Sequence, residues 1–211
     1  GRATRRARAR RICRRRRAAP PTTLLLTRAA PAPPQRSPLL ASLAIMSVRG
    51  ALINFGFFWH ASAALLGGTL SAAALAAQRW RCLGPVLFYC TFGVVIALVK
   101  DVPDVAGDRL YGIRSFSVRL GQAQVLRFAT ALLSAALVVA AAALGAAAAA
   151  STSALAVGRR AAVAALGVGA AWYVQRRRAA VDAAAPGQVY EYYMFLWAIF
   201  YASYLCLPFA R

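Results

Sequence analysis

Residues 122–150 and 154–175 each run for at least the length of a bilayer-spanning helix with almost no polar face. A span needs about 20 consecutive, mainly apolar residues, and a soluble core helix of that length would show an amphipathic period instead. The same pattern recurs along the chain, with charge gathered into short arginine-rich islands between apolar runs. The fold class that follows is all-α, a polytopic transmembrane helical bundle. Five spans are predicted: Leu39–Leu66, Leu83–Val99, Gln122–Ala149, Ala154–Val174 and Tyr190–Phe209. The alanine-rich run 141–150 reads as close helix packing without chemistry of its own.

Arginines and lysines accumulate on the cytoplasm-equivalent side of a membrane, so the loops can be sorted. The basic residues before the first span, the 100–119 loop and Arg176, Arg177 and Arg178 fall on one side. Only Arg79, Arg81, Arg159 and Arg160 fall on the other. The formal charge of +21 is carried by 26 basic residues, of which Lys100 alone is lysine. Nucleic-acid binding is excluded, because these charges sit at span ends and do not interleave with aromatics on a soluble surface. Cys13, Cys82, Cys90 and Cys206 have neither zinc nor disulfide spacing.

Residues 1–37 are of another kind. They hold ten arginines and no acid in the first seventeen positions, followed by a Pro/Ala/Thr stretch. This basic arm is expected to be disordered or to lie on anionic lipid, and it has the composition of an organelle transit segment. The chain opens on Gly1 and its first methionine is Met46, so it reads as a piece with more sequence upstream. Residues 38–211 form the membrane domain.

Three of the five acidic residues fall within eight positions, Asp101, Asp104 and Asp108, directly after the second span. Carboxylates this close repel one another, which suits a small, highly charged ligand. Mg²⁺ fits, since it takes oxygen donors, binds one or two carboxylates and keeps positions for water and phosphate. Spacings of three and four put the three on one side of a helical turn, which Pro103 and Gly107 are expected to interrupt. The span should end near Lys100 and bend across the membrane surface.

The stretch Lys-Asp-Val-Pro-Asp-Val-Ala-Gly-Asp-Arg-Leu-Tyr-Gly-Ile-Arg-Ser-Phe-Ser-Val-Arg-Leu-Gly, residues 100–121, resembles the second aspartate-rich motif of the UbiA-type membrane prenyltransferases, in the form of the plastid homogentisate phytyltransferases. The segments from Ser47 to His60 and from Tyr192 to Phe209 agree with that subgroup. The resemblance implies a nine-helix enzyme of the plastid envelope, of which these spans are the last five. Such enzymes join an allylic diphosphate to an aromatic acceptor, with two aspartate-rich motifs holding Mg²⁺ on the diphosphate. In this subgroup phytyl diphosphate alkylates homogentisate, which loses its carboxyl group, on the way to tocopherol. Solanesyl-transferring relatives of the plastoquinone branch carry a similar motif. The family's first motif is absent, because residues 1–40 contain neither Asp nor Glu. An inactive membrane fragment therefore stays open beside the enzyme.

Asp101, Asp104 and Asp108 are the candidate catalytic metal ligands. Lys100, Arg109 and Arg114 are candidate diphosphate contacts, because guanidinium matches phosphate oxygens in pairs. Arg49 joins them as a charge inside a span, where a charge is costly and marks function. Asn54 and His60 are candidates for orienting the aromatic acceptor, or for helix–helix hydrogen bonds. Trp197, Tyr201 and Tyr204 offer ring faces to a carbocation, although packing or an interfacial belt is the expected role for most of them.

Overall fold

The computed structural model describes residues 40, 43, 44, 46–65 and 72–210, which all belong to the unit running from Pro34 to Arg211. The basic arm expected over residues 1–37 lies outside the described residues. All the regular elements described are helices. A π-helical turn, Met46–Leu52, leads into α1, Ile53–Leu65. Then come α2, Ala72–Lys100, the two short helices α3, Val105–Leu110, and α4, Phe116–Leu120, and the long α5, Gln122–Ala149. The chain closes with α6, Ala154–Ala179, α7, Pro186–Cys206, and a 3₁₀ turn, Leu207–Ala210. Four of these segments are long and apolar enough to cross a membrane: Cys82–Lys100, Gln122–Ala149, Ala154–Ala179 and Pro186–Ala210.

Several helices run past their apolar cores. α2 begins at Ala72, so Arg79 and Arg81 lie within the helix and not in a loop. α6 continues to Ala179 through Arg176, Arg177 and Arg178, which stand in its last turn, where positive charge complements the helix dipole. α7 starts four residues before the apolar run, with Pro186 in its first turn, where a missing N–H costs nothing.

The core joins α2, α5, α6 and α7. Tyr89, Phe92, Val95 and Val99 of α2 pack with Leu126, Leu133, Val174, Tyr192 and Leu196, all buried. Tyr89 stacks on Tyr204 with ring centroids 4.0 Å apart, and Phe92 meets Phe200 edge-on at 5.2 Å. Such aromatic pairs contribute about 0.5–1.5 kcal/mol beyond their buried area. Near the other end, Thr130 Oγ1 and Tyr192 Oη lie 3.0 Å apart, and Tyr192 Oη also reaches the Val174 carbonyl at 3.5 Å. These contacts fix α5, α6 and α7 to one another. They place the start of α5, the end of α6 and the start of α7 on one side.

The π-helical turn crosses α2 closely at Gly50. A Cβ on Gly50 would overlap both the side chain and the backbone of Cys90, so only glycine allows this approach. Cys82, Cys90 and Cys206 are free thiols.

Candidate functional site

α2 ends where the acidic stretch begins. Val102 N–H donates to the Val99 carbonyl at 3.2 Å, a tightening of the last turn, and Pro103 then supplies no N–H to continue it. The break separates the carboxylates: Asp101 stays at the end of α2, and Asp104 stands just before α3 without a side-chain bond to its first turn. Asp108 sits one turn further on, its N–H donating to the Asp104 carbonyl at 2.8 Å. The expected single helical face thus holds for Asp104 and Asp108 and not for Asp101. Gly107 does not interrupt α3 but lies inside it, accepting from Tyr111 N–H at 3.0 Å. A glycine costs a helix only about 1 kcal/mol, and α3 absorbs it.

The rest of the loop is tightly fixed. Gly112 adopts φ +68°, which turns the chain out of α3, and Ser115 caps α4 by accepting from Val118 N–H at 3.4 Å. Gly121, at φ +90°, makes the second left-handed turn into α5. Gln122 then reaches back, its Nε2 donating to the Val102 carbonyl at 2.8 Å. Val102 is fully buried. This bond fastens the stretch between Asp101 and Asp104 to the first turn of α5. Sequence reasoning missed Gln122; its signal is an amide opening an apolar helix straight after a turn glycine.

Lys100 Nζ lies 3.7 Å from Asp101 Oδ1. Burial nevertheless holds the Asp101 carboxyl above its usual range; Lys100 opposes this, and Asp108 and Asp104 add to it. The three carboxylates are thus near enough to act on one another. Among the described residues, however, no three His, Cys, Asp or Glu side chains close into a cage around a metal. The donors are all hard oxygens, Asp104 is exposed and Asp108 half-buried. That set fits Mg²⁺ held by one or two carboxylates and completed by water and phosphate, and does not fit an ion enclosed by protein. Arg109 and Arg114 stand exposed on the same loop.

An apolar cleft of about 610 Å³ opens beside this loop, within the range of small-molecule sites. Val94 and Leu98 of α2, Phe116 and Leu120 of α4, and Val125 and Phe128 of α5 line it, closed on another side by Leu43 and Met46. Leu98 is one turn before Asp101, so the groove runs beside the end of α2; none of the three carboxylates lines it.

The other candidates lie elsewhere. Gly50 meets Cys90, ten residues before Lys100, which is about 15 Å along a helix. Asn54 is one turn beyond Gly50, donating to the Gly50 carbonyl at 2.8 Å and accepting from Tyr204 Oη at 3.3 Å. It is engaged in holding α1 to α7, and the structure does not bring it to the aspartates. His60 is exposed, a further turn and a half along α1. Arg49 belongs to the π-helical turn, and its side chain lies outside the described residues. Trp197 stacks on Tyr201 at 5.6 Å and meets Phe200 at 5.3 Å on its own helix, and Tyr204 stacks on Tyr89 of α2, so packing engages these rings.

Residues 23–199 match the UbiA prenyltransferase family. The chain belongs to that family. Among its relatives is the probable homogentisate phytyltransferase 1, chloroplastic, of Oryza sativa subsp. japonica, 37% identical over 84% of this chain and 41% of the relative. The homogentisate geranylgeranyltransferase of Triticum aestivum is also 37% identical, over 84% of this chain and 40% of the relative. The homogentisate solanesyltransferase, chloroplastic, of Arabidopsis thaliana is 31% identical over 83% and 42%. The chain spans about two fifths of the length of these relatives. No solved structure matches it.

Proposed function

We propose that the protein to which these residues belong is a plastid membrane enzyme that transfers a prenyl group from its diphosphate to homogentisate, with loss of the acceptor's carboxyl group, as in tocopherol synthesis. The observation that supports this reading is an apolar cleft beside the end of the span that leads into Asp101, with Asp104 and Asp108 on the loop that follows, since the donor is itself a diphosphate head on a hydrocarbon tail. The names of these three relatives agree on homogentisate as acceptor and differ in the prenyl group.

In this reading Asp104 and Asp108, with Asp101 beside them, would hold Mg²⁺, which when bound neutralises charge developing on the departing diphosphate. Lys100, Arg109 and Arg114 supply cations that meet the diphosphate oxygens, Arg109 and Arg114 through paired N–H donors. The cleft takes the first part of the tail and keeps water from the allylic carbon. Gln122 keeps the turn between Asp101 and Asp104 in one conformation while the ligand changes. Phytyl is the favoured donor, because the two 37% identical relatives are named for phytyl and geranylgeranyl transfer, both twenty-carbon groups.

The test joins the upstream helices of the rice relative to residues 38–211 and supplies membranes with Mg²⁺, homogentisate and equal phytyl and solanesyl diphosphate. Phytylated quinol is expected from the chimera, and none from the 211-residue polypeptide by itself, which has no first aspartate motif. Mainly solanesylated product would move the assignment to the plastoquinone branch. A correctly inserted chimera without any prenylated product would leave a non-catalytic membrane protein.

A further inference from the structure

α6 ends in three consecutive arginines, Arg176, Arg177 and Arg178, that the prenyl-transfer reading does not use. None of them is neutralised by protein: the one ion pair among the described residues joins Lys100 to Asp101. The acids nearest in sequence are Asp182 and Glu191. Asp182 is engaged within its own turn, accepting from Ala184 N–H at 2.9 Å, and Glu191 is exposed.

The contrast with Arg160, at the other end of α6, is informative. Arg160 Nη1 donates to the Ala147 carbonyl at 2.9 Å and to Ser151 Oγ, so its guanidinium serves the turn between α5 and α6. Arg178 makes no such bond. Its Nε is shut away from solvent without an acceptor, as is that of Arg160, so the difference between the two lies in the outer guanidinium nitrogens, which at Arg178 meet no protein acceptor among the described residues.

Its neighbours are held in place by rings. Arg177 lies 4.8 Å above the Phe195 ring, which also meets Tyr173 edge-on at 5.3 Å, and Arg176 lies 5.3 Å from the Trp172 ring. A guanidinium stacked on an aromatic face keeps its N–H edge free for an anion. Trp172, Tyr173 and Tyr190 are exposed, as residues of an interfacial belt are. Further along the same helices Leu166, Val168 and Met194 are exposed apolar side chains.

We propose that Arg177 and Arg178, flanked by Arg176, bind the phosphodiester headgroup of one anionic membrane lipid at the junction of α6 and α7. The shared chemistry is a phosphate oxyanion, which a free diphosphate also offers. The lipid is the source the surroundings favour, because the exposed aromatic belt and the apolar residues along α6 and α7 accommodate acyl chains that a soluble anion lacks.

The test takes the full chain in mild detergent, strips it of lipid, and offers phosphatidylglycerol, phosphatidylcholine or inorganic pyrophosphate while native mass spectrometry counts what stays bound. One phosphatidylglycerol per chain is expected, at roughly tenfold preference over phosphatidylcholine. The Arg177→Gln/Arg178→Gln variant should lose that preference, and Arg159→Gln on the opposite side should keep it. Should the double variant fail to fold, thermal stabilisation of the unaltered chain decides: phosphatidylglycerol should raise the melting temperature and phosphatidylcholine should not. Equal retention of the two lipids would overturn the proposal. So would displacement of phosphatidylglycerol by millimolar pyrophosphate, which would mark a site for soluble diphosphate.

Discussion

Tyr192 and Thr130 let a hydrogen-bond argument be tested by direction as well as size. Thr130 Oγ1 donates to the Leu126 carbonyl at 2.8 Å, which uses its only proton. The 3.0 Å contact with Tyr192 therefore has Tyr192 as donor and Thr130 as acceptor. Tyr192→Phe removes that donor and leaves the Thr130 proton satisfied, so it should cost only the net value of one hydrogen bond, about 0.5–1.5 kcal/mol. Thr130→Val keeps the volume but leaves the Tyr192 hydroxyl buried with only the Val174 carbonyl, at a marginal 3.5 Å. An orphaned buried donor costs about 1–3 kcal/mol, so the smaller chemical change should be the more damaging. Adding Tyr192→Phe to Thr130→Val then removes the orphan, and the double variant should be more stable than Thr130→Val alone. Unfolding by SDS titration in mixed micelles, followed by tryptophan fluorescence, measures all four corners of this cycle. A Tyr192→Phe cost above that of Thr130→Val, or simple additivity, would refute the assigned proton direction.

In the chimera with a relative's upstream helices, Asp104→Ala or Asp108→Ala should remove several kcal/mol of transition-state stabilisation, about a thousandfold in turnover, at saturating Mg²⁺. Near-normal rates in both would make the acidic stretch a solvated loop. Gln122→Leu orphans the buried Val102 carbonyl, at about 1–3 kcal/mol, so trypsin should cut at Lys100, Arg109 or Arg114 roughly five- to a hundredfold faster. Unchanged cleavage would mean that the loop does not depend on this bond. Arg160→Ala removes two charge-assisted bonds from the turn between α5 and α6 and should cost about 1.5–3 kcal/mol in the same SDS titration, whereas Arg159→Ala should be neutral.

The apolar runs announced the long helices, because hydrocarbon length and helical rise leave few alternatives. Their ends were less legible, for a physical reason. Arg79, Arg81 and Arg176–Arg178 stop an apolar run but not a helix, since arginine is a good helix former and is favoured near a helix C-terminus. At Pro103 the sequence was a better guide: α2 carries Pro85 within it, whereas at Pro103 the missing donor coincides with the end of the apolar run and the helix stops.

The site divides along the same line between local and long-range causes. The carboxylates, their basic neighbours and the break among them are consecutive residues, so composition and spacing were enough to find them. Gln122 fastens Val102 across twenty residues, Tyr204 reaches Asn54 across 150, and Tyr192 meets Thr130 across 62. Nothing in one sequence pairs such partners; packing decides them. The cleft has the same character, since its walls come from the 43–46 segment, α2, α4 and α5, each of which reads alone as an ordinary apolar stretch. The break of α2 at Pro103 and the return of Gln122 to Val102 bring the loop that carries the acidic motif back to α5, whose first turns also line the cleft. The proposed diphosphate site therefore depends on how this loop is held, and the Gln122→Leu protease experiment addresses directly the bond that fastens it.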